Sequence, residues 1–319
     1  MVSVCSLFAG IGGIDLALQQ AGCEIVWANE KDPYAAMTYR KNFGDTCFIE
    51  ADIQKINATK LPNVDMLAAG FPCQPFSQMG YQRGFCDPRG NLFFDIIRIL
   101  EVKRPAIVLL ENVKNLLQHD DGKTFMTIYN QLAQLGYAVK YKVMNAKEYA
   151  NIPQDRNRIF MVAFMNYSAC DRFTFPEPMP LSKTINDLID RSEKHNEIYY
   201  YRQNSDYYEA LKKRVINERA IYRIDDSGIA TREYLICPTL KANMGTYHDR
   251  VPVIKDHFGI RKLTPMECLK LQGFPLDYSF SKIPLNEAYK QAGNTVCVPL
   301  VKRIALNILQ SMREQSWHP

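Results

Sequence analysis

The run Ala106-Ile107-Val108-Leu109-Leu110 limits the possible folds of this chain more than any other five residues. A near-continuous apolar run of strand length fits a strand covered on both faces, as in the middle of a parallel sheet. Pro105 introduces it and Glu111-Asn112-Val113 ends it. Val64 to Ala69 and Arg158 to Phe164 have the same texture, and Val2–Ala9, Glu24–Glu30, Phe48–Ala51 and Tyr137–Val143 also read as strands. Between them the apolar spacing becomes helical, over Ile14–Ala21, Tyr34–Asn42, Asn91–Val102 and Phe125–Leu135. Asp32-Pro33 before the second of these reads as an N-cap followed by proline at the first helical position. Strands alternating with helices over the first 165 residues predict a doubly wound α/β domain.

That alternation ends near Phe173, where Pro176, Pro178 and Pro180 mark a linker. The expected organisation is a catalytic and cofactor-binding domain over 1–176 plus 291–319, with a smaller domain and hinge over 177–290. Residues 198–223 interleave tyrosine with lysine and arginine (Tyr199-Tyr200-Tyr201-Arg202, Tyr207-Tyr208, Lys212-Lys213-Arg214, Tyr222-Arg223). Such interleaving suits phosphate contact and base stacking, and equally suits an amphipathic helix with a solvated basic face. Residues 177–290 carry 18 basic and 16 acidic side chains, so they are not a basic block. Ile304–Met312 reads as a closing helix.

Composition excludes more than it identifies. Of 319 residues, 47% are hydrophobic and 23% charged, as in soluble globular proteins. No stretch approaches the roughly 20 apolar residues of a membrane span. The first residues, without a basic region, run straight into a strand and do not read as a signal peptide. Nine cysteines form no C-x-x-C pair and five histidines are scattered, so neither a metal site nor a disulfide framework is expected. A reducing cytoplasm is the natural compartment. The net charge of +5 permits a polyanionic partner without requiring one.

Several predicted strands end in residues that could carry chemistry. Ala9-Gly10-Ile11-Gly12-Gly13 follows the first strand, a turn that brings backbone close to a ligand, although its spacing is not the dinucleotide G-x-G-x-x-G. Glu30 ends the second strand, where a carboxylate is placed for ribose hydroxyls or is simply solvated; Asp52-Ile53 follows the third. The fourth runs into Gly70-Phe71-Pro72-Cys73-Gln74-Pro75-Phe76-Ser77. Pro72 and Pro75 stiffen the backbone around Cys73 and aim its thiol, although a lone loop cysteine is more often inert packing. The polar loop Gln78–Gly90 follows, with glycines at 80, 84 and 90.

These segments, with Gln154-Asp155-Arg156-Asn157-Arg158, Arg261-Lys262-Leu263-Thr264-Pro265-Met266-Glu267-Cys268, Gln272-Gly273-Phe274-Pro275 and Gln291-Ala292-Gly293-Asn294-Thr295-Val296, closely resemble the DNA (cytosine-5) methyltransferase family of bacterial restriction-modification type. The resemblance covers about 1–165 and 259–300, and is loose over 177–258, at Pro238-Thr239-Leu240. It implies a Rossmann-like S-adenosylmethionine-dependent methyltransferase sheet with a smaller target-recognition domain. It further implies methyl transfer to C5 of a flipped cytosine in a specific duplex DNA sequence. Cys73 would be the nucleophile at C6, Glu111 the acid near N3, and Arg156 and Arg158 the cations at O2 and the ring. For its role Glu111 should be protonated or share a proton, which burial would favour.

The same resemblance implies S-adenosylmethionine as cofactor, held by Phe8, Ala9, Gly10, Gly12, Gly13, Glu30, Asp52, Ile53, Pro72, Leu92, Asn294 and Val296. Lys31 is a departure, since some family members carry there an aromatic that packs on adenine. DNA contacts are expected from Ser77, Met79, Gln82, Arg83, Thr239 and Leu240, with the Gln78–Gly90 loop as a lid and Met79 or Gln82 filling the vacated space.

The residue types fit this chemistry independently. Cytosine C5 is a poor nucleophile until a thiolate adds to C6, and a base hidden in the duplex stack must be extruded. A monomer is expected, and a separate cognate restriction endonuclease would be a natural companion. A tRNA cytosine-5 methyltransferase and, less well supported, a non-catalytic DNA-binding regulator on this scaffold are the alternatives.

Overall fold

β1 (Ser3–Leu7) leads through the glycine turn into α1 (Gly13–Gln20), and the alternation continues as β2 (Glu24–Glu30), α2 (Pro33–Phe43), β3 (Phe48–Glu50), β4 (Met66–Gly70), α3 (Leu92–Lys103), β5 (Ile107–Val113), α4 (Lys123–Gln134) and β6 (Ala138–Asn145). Short α5 (Ala146–Tyr149) and β7 (Gln154–Asp155) precede β8 (Asn157–Phe164) and α6 (Tyr167–Arg172). The computed structural model describes residues 1–45, 47–72, 92–202, 206–224, 230–246 and 250–313. The chain divides into two compact units, Met1–Met144 with Asn157–Glu177 and Pro299–Pro319, and Asn145–Arg156 with Pro178–Val298. The second unit thus takes in two segments, 145–156 and 291–298, that the sequence-based boundaries assign to the catalytic domain.

The first unit is built on a seven-stranded sheet of order β3-β2-β1-β4-β5-β8-β6. β3, β2, β1, β4 and β5 pair in parallel, so their C-terminal ends share one edge. β8 is antiparallel to β5, with Arg158 opposite Val113 and Phe160 opposite Glu111. That reversal brings the start of β8 to the edge where β4 and β5 end. Leu67, Val108, Leu110 and Met161 are fully buried within one apolar cluster with Phe93, Ile96 and Leu100 of α3. α2 starts as its sequence predicts, with Asp32 accepting from the N–H groups of Tyr34 (2.9 Å) and Ala35 (3.2 Å) and Pro33 at its first turn.

The second unit holds α7 (Asp206–Lys212), β9 (Ile221–Ile224), β10 (Ala230–Tyr234), β11 (Cys237–Pro238), β12 (Val253–Asp256), β13 (Gly259–Lys262), α8 (Pro265–Lys270) and α9 (Leu285–Asn294). β10-β9-β12-β13 form an antiparallel sheet, and β7 pairs in parallel with β11. The tyrosine-rich segment is therefore neither one long helix nor a stacking surface throughout. Tyr222 is buried, and Tyr201 and Tyr208 pack against the cluster of Leu211, Val215, Val253 and Ile260. Arg261 is fully buried, its Nε donating to Asp256 (2.6 Å) and both terminal nitrogens to Glu267 (2.8 Å each). Glu267 also completes a capping box with Thr264 at the start of α8. Arg261 is the cation these two buried carboxylates share, and its loss would leave both without a counter-ion.

α10 (Val298–Arg313) closes the chain and starts six residues earlier than its apolar spacing suggested. Asn307 donates to the Thr174 carbonyl and Arg172 to the Ser311 carbonyl, which fastens this helix within the first unit.

Asp15, in the first turn of α1, is fully buried and accepts from Ser6 Oγ (2.8 Å) and Tyr39 Oη (2.9 Å). Burial raises its carboxyl to about 6, the two hydroxyl bonds opposing this only in part. The folded state therefore holds its proton longer than the unfolded chain, and stability falls as pH rises from about 4 to about 6. Asp15→Asn removes that decline. Relative to the wild type, the variant should gain roughly 2–3 kcal/mol between pH 4 and pH 8, read from urea midpoints. An equal pH dependence in both proteins would show that Asp15 does not titrate in this range.

Candidate active site

The turn after β1 is held in left-handed conformations, with Phe8 at φ 54°, Gly10 at 56° and Gly12 at 82°. A β-carbon on Gly12 would lie 2.3 Å from the Phe43 ring, so only glycine fits. A bulky side chain such as Phe8 is rarely found at positive φ, and such strain gathers at ligand sites. Gly12 N–H donates to the Ala9 carbonyl (2.8 Å) and Ala9 N–H to the Asn29 carbonyl (2.9 Å). Gly13 is the first residue of α1.

Glu30 ties this turn to the end of β2. Its Oε2 accepts from Gly10 N–H (2.9 Å), and its Oε1 from the N–H groups of Lys31 and Asp32 (2.8 Å each). A carboxylate fixed by three amides keeps acceptor capacity for a neighbouring diol. Asn29, 1% exposed, donates to the carbonyls of Ile49 and Ala51 (2.9 Å each) and so fixes the approach to Asp52. Ile53 is buried, and its carbonyl accepts from Arg98 of α3 (2.8 Å). Lys31 Nζ lies 3.7 Å from Asp52 Oδ2. The lysine that departs from the family pattern thus pairs with the carboxylate expected at the adenine edge. Leu92 is partly buried against the core of the first unit, and Pro72 is exposed.

At the next strand ends, Gly70 of β4 lies opposite Glu111 of β5. A β-carbon on Gly70 would sit 3.4 Å from Glu111 Oε2, so that oxygen faces the end of β4. Glu111 Oε1 is 3.0 Å from Arg158 Nε, with both side chains largely buried (11% and 15% exposed). Asn112 Nδ2 donates to the Phe71 carbonyl (2.9 Å), which anchors the chain two residues before Cys73. Cys73, Ser77, Met79, Gln82 and Arg83, with the Gln78–Gly90 loop, lie outside the described residues.

The remaining expected site residues belong to the second unit. Arg156 is 2% exposed, and its guanidinium donates to the carbonyls of Leu240 (2.9 Å), Gly293 (3.2 Å) and Thr295. These three bonds go to backbone, whereas Arg158, besides donating to the Asn157 carbonyl, meets a carboxylate. Leu240 is 1% exposed, so its side chain is core; Thr239 beside it is half-buried and donates to the Asp155 carbonyl. Asn294 is exposed and Val296 buried.

Asp15 and Arg98 were not singled out from the sequence. A carboxylate inside an apolar helical repeat, as Asp15 is, was the available signal. Nothing local marks Arg98. Among the described residues, no group of three His, Cys, Asp or Glu could hold a metal ion, and no helix is long and apolar enough to cross a membrane.

A left-handed glycine turn and carboxylates at the C-terminal edge of a doubly wound sheet mark a nucleotide-cofactor site. The model of the C-5 cytosine-specific DNA methylase family matches residues 2–310. The chain is 45% identical over 315 residues to Type II methyltransferase M.Bsp6I of Bacillus sp. (strain RFL6), covering 98% of this chain and 100% of that protein. It is 38% identical over 314 residues to Type II methyltransferase M.HhaI of Haemophilus parahaemolyticus, covering 96% and 94%. In fold it is similar to a DNMT2 mutant of Spodoptera frugiperda (TM-score 0.76, 20% identity, 97% of this chain and 100% of that one). It is also similar to the Dnmt2 methyltransferase of S. pombe (TM-score 0.75, 21%, 98% and 100%).

The chain belongs to the C-5 cytosine-specific DNA methylase family. It is a DNA (cytosine-5-)-methyltransferase that uses S-adenosylmethionine as methyl donor and DNA as substrate.

Proposed function

We propose that the enzyme methylates C5 of one cytosine, flipped out of a specific duplex sequence, through a covalent bond between Cys73 and C6. The observation that carries this reading is the Glu111–Arg158 pair at the edge where β4 leads toward Cys73. The donor set of the first unit fits the cofactor. The left-handed turn lets backbone approach its methionine and adenosine portions, Glu30 suits its ribose hydroxyls, and Asp52 with Ile53 its adenine edge. When bound, S-adenosylmethionine supplies an electrophilic methyl group on a sulfonium.

Cys73 Sγ, as thiolate, adds to C6, and the displaced π electrons move toward N3 and C5. Glu111 Oε2 faces N3 and the exocyclic amine, accepting from the amine and relaying to N3 the proton that stabilises this charge. Arg158 keeps Glu111 in place and presents a cation toward the ring and O2. C5, made nucleophilic by the addition of Cys73, would then take the methyl group that the bound cofactor supplies. Solvent takes the C5 proton, whose electron pair re-forms the C5–C6 double bond as the bond between Cys73 Sγ and C6 breaks and the thiolate returns. Base extrusion is required because C6 is otherwise stacked, with the Gln78–Gly90 loop as lid and sequence reading by 177–258 through Thr239.

The similarity to Type II methyltransferases at 38–45% identity supports duplex DNA over tRNA, and a restriction-modification setting with a separate cognate endonuclease. A monomer in the bacterial cytoplasm fits this task. Methylome sequencing of cells expressing the protein should reveal 5-methylcytosine at one position of one short sequence. Methyl transfer from labelled cofactor to tRNA, and none to DNA, would overturn the reading.

A further inference from the structure

β3 is an edge strand, and beyond Ala51, whose N–H reaches the Glu30 carbonyl (3.2 Å), the chain leaves the sheet. Asp52 then caps a single 3-10 turn over Ile53–Lys55 by accepting from Gln54 N–H (3.2 Å). So short a turn satisfies few of its own carbonyls. Arg98 of α3 supplies donors, Nη2 to the Ile53 carbonyl and Nη1 to the Ile56 carbonyl (2.8 Å each). Asp95, one turn earlier on the same helix, accepts from Arg98 Nε (3.2 Å) and Nη2 (3.1 Å) and so orients the guanidinium. Phe93, Ile96, Ile97 and Leu100 anchor α3 in the core of the first unit, so the guanidinium is presented from a fixed element. Asn29 holds the same stretch from its other end, through the Ile49 and Ala51 carbonyls. All of these residues belong to the first unit.

We propose that Arg98 is a positioning residue for the cofactor's base: by holding the carbonyls of Ile53 and Ile56 it sets the Asp52 carboxylate and the Ile53 amide at the spacing that selects adenine. The inference rests on the function proposed above, which gives Asp52 and Ile53 the adenine edge. Ile53 is 2% exposed, so what it offers a base is main chain. A carboxylate accepts and an amide N–H donates, a pair that adenine complements with its amino group and N1. Hypoxanthine, with a carbonyl and an N1–H, presents the reverse order. Such a site discriminates because the wrong base leaves its polar groups unpaired, and it does so only while acceptor and donor keep their spacing. A guanidinium holds two carbonyls of one turn because it is a rigid planar fork; an ammonium is a compact point donor and cannot reproduce that geometry.

The test uses Arg98→Lys and Arg98→Met in the full chain, each checked for a wild-type unfolding midpoint. Affinities for S-adenosylhomocysteine and S-inosylhomocysteine are measured by calorimetry, and hydrogen exchange at residues 52–57 is followed without cofactor. The wild type should prefer the adenosyl compound. Both variants should bind it about tenfold more weakly, with the inosyl compound changed by less than about twofold, so that most of the preference is lost. Exchange at 53–56 should be faster, and KM for S-adenosylmethionine should rise with kcat changed far less. If neither Arg98 variant folds, Asp95→Asn, which leaves the guanidinium in place but less firmly oriented, should lose part of the same preference. Equal weakening of both compounds would mean that Arg98 supports the fold alone and would overturn the proposal. A preference unchanged in every folded variant would overturn it as well. A wild type that bound both compounds equally, or neither, would instead overturn the assignment of Asp52 and Ile53 to adenine on which it rests.

Discussion

Cys73→Ser should abolish methyl transfer, lowering the rate by roughly 10^4- to 10^6-fold, while duplex binding is retained. The reason is the protonation state of the attacking atom. A thiol has a pKa near about 8.5 and can be brought to thiolate by its surroundings, whereas a serine hydroxyl offers almost no alkoxide near neutrality. Five of the described cysteines are less easily ionised than a free thiol. Cys5, Cys237 and Cys268 are buried, and burial pushes each thiol well above its usual value; burial also raises Cys23 and Cys170. A duplex with 5-fluorocytosine at the target position adds a direct readout, because fluorine at C5 cannot leave as a proton and the Cys73–C6 bond persists. The wild type should form a denaturation-resistant complex with this duplex and Cys73→Ser none. Full activity in the variant would refute the covalent mechanism.

Arg158→Leu should destabilise the first unit by about 3–5 kcal/mol, because it leaves Glu111 as a largely buried carboxylate without its counter-ion. The neutral replacement Glu111→Gln with Arg158→Leu should recover much of that loss, since removing both charges removes the desolvation penalty with them. Stability and activity separate here. The double variant should fold nearly as well as the wild type yet transfer no methyl group, having neither the proton carrier at N3 nor the cation beside the ring. Urea midpoints by circular dichroism test the first statement and labelled-cofactor transfer the second. A stable Arg158→Leu single variant would mean that the pair is solvated and does not set the position of Glu111.

The strand edge was legible from the sequence because its elements are local. Apolar runs of strand length, helical spacing between them and Asp32-Pro33 as a helix start each depend on neighbours in the chain. So does the turn at Gly10–Gly13, where a positive φ at Gly10 and Gly12 favours glycine. The long-range pairing was not legible. Nothing in Arg158 to Phe164 says that β8 runs antiparallel to β5, yet that reversal places Arg158 beside Glu111. Lys31 was notable only as a departure from a pattern; its approach to Asp52 needed coordinates.

The two arginines divide what the sequence determined from what only folding decided. The family resemblance carried by Gln154-Asp155-Arg156-Asn157-Arg158 implies similar roles for both. The tertiary structure separates them. Arg158 enters the sheet of the first unit and pairs with a carboxylate, while Arg156 is buried in the second and binds three carbonyls. Sequence determines which donors are available, because charge and reach belong to the side chain itself. Which acceptors they meet depends on residues 84 and 137 positions away, Leu240 and Gly293. Only the folded backbone brings those carbonyls within hydrogen-bonding distance.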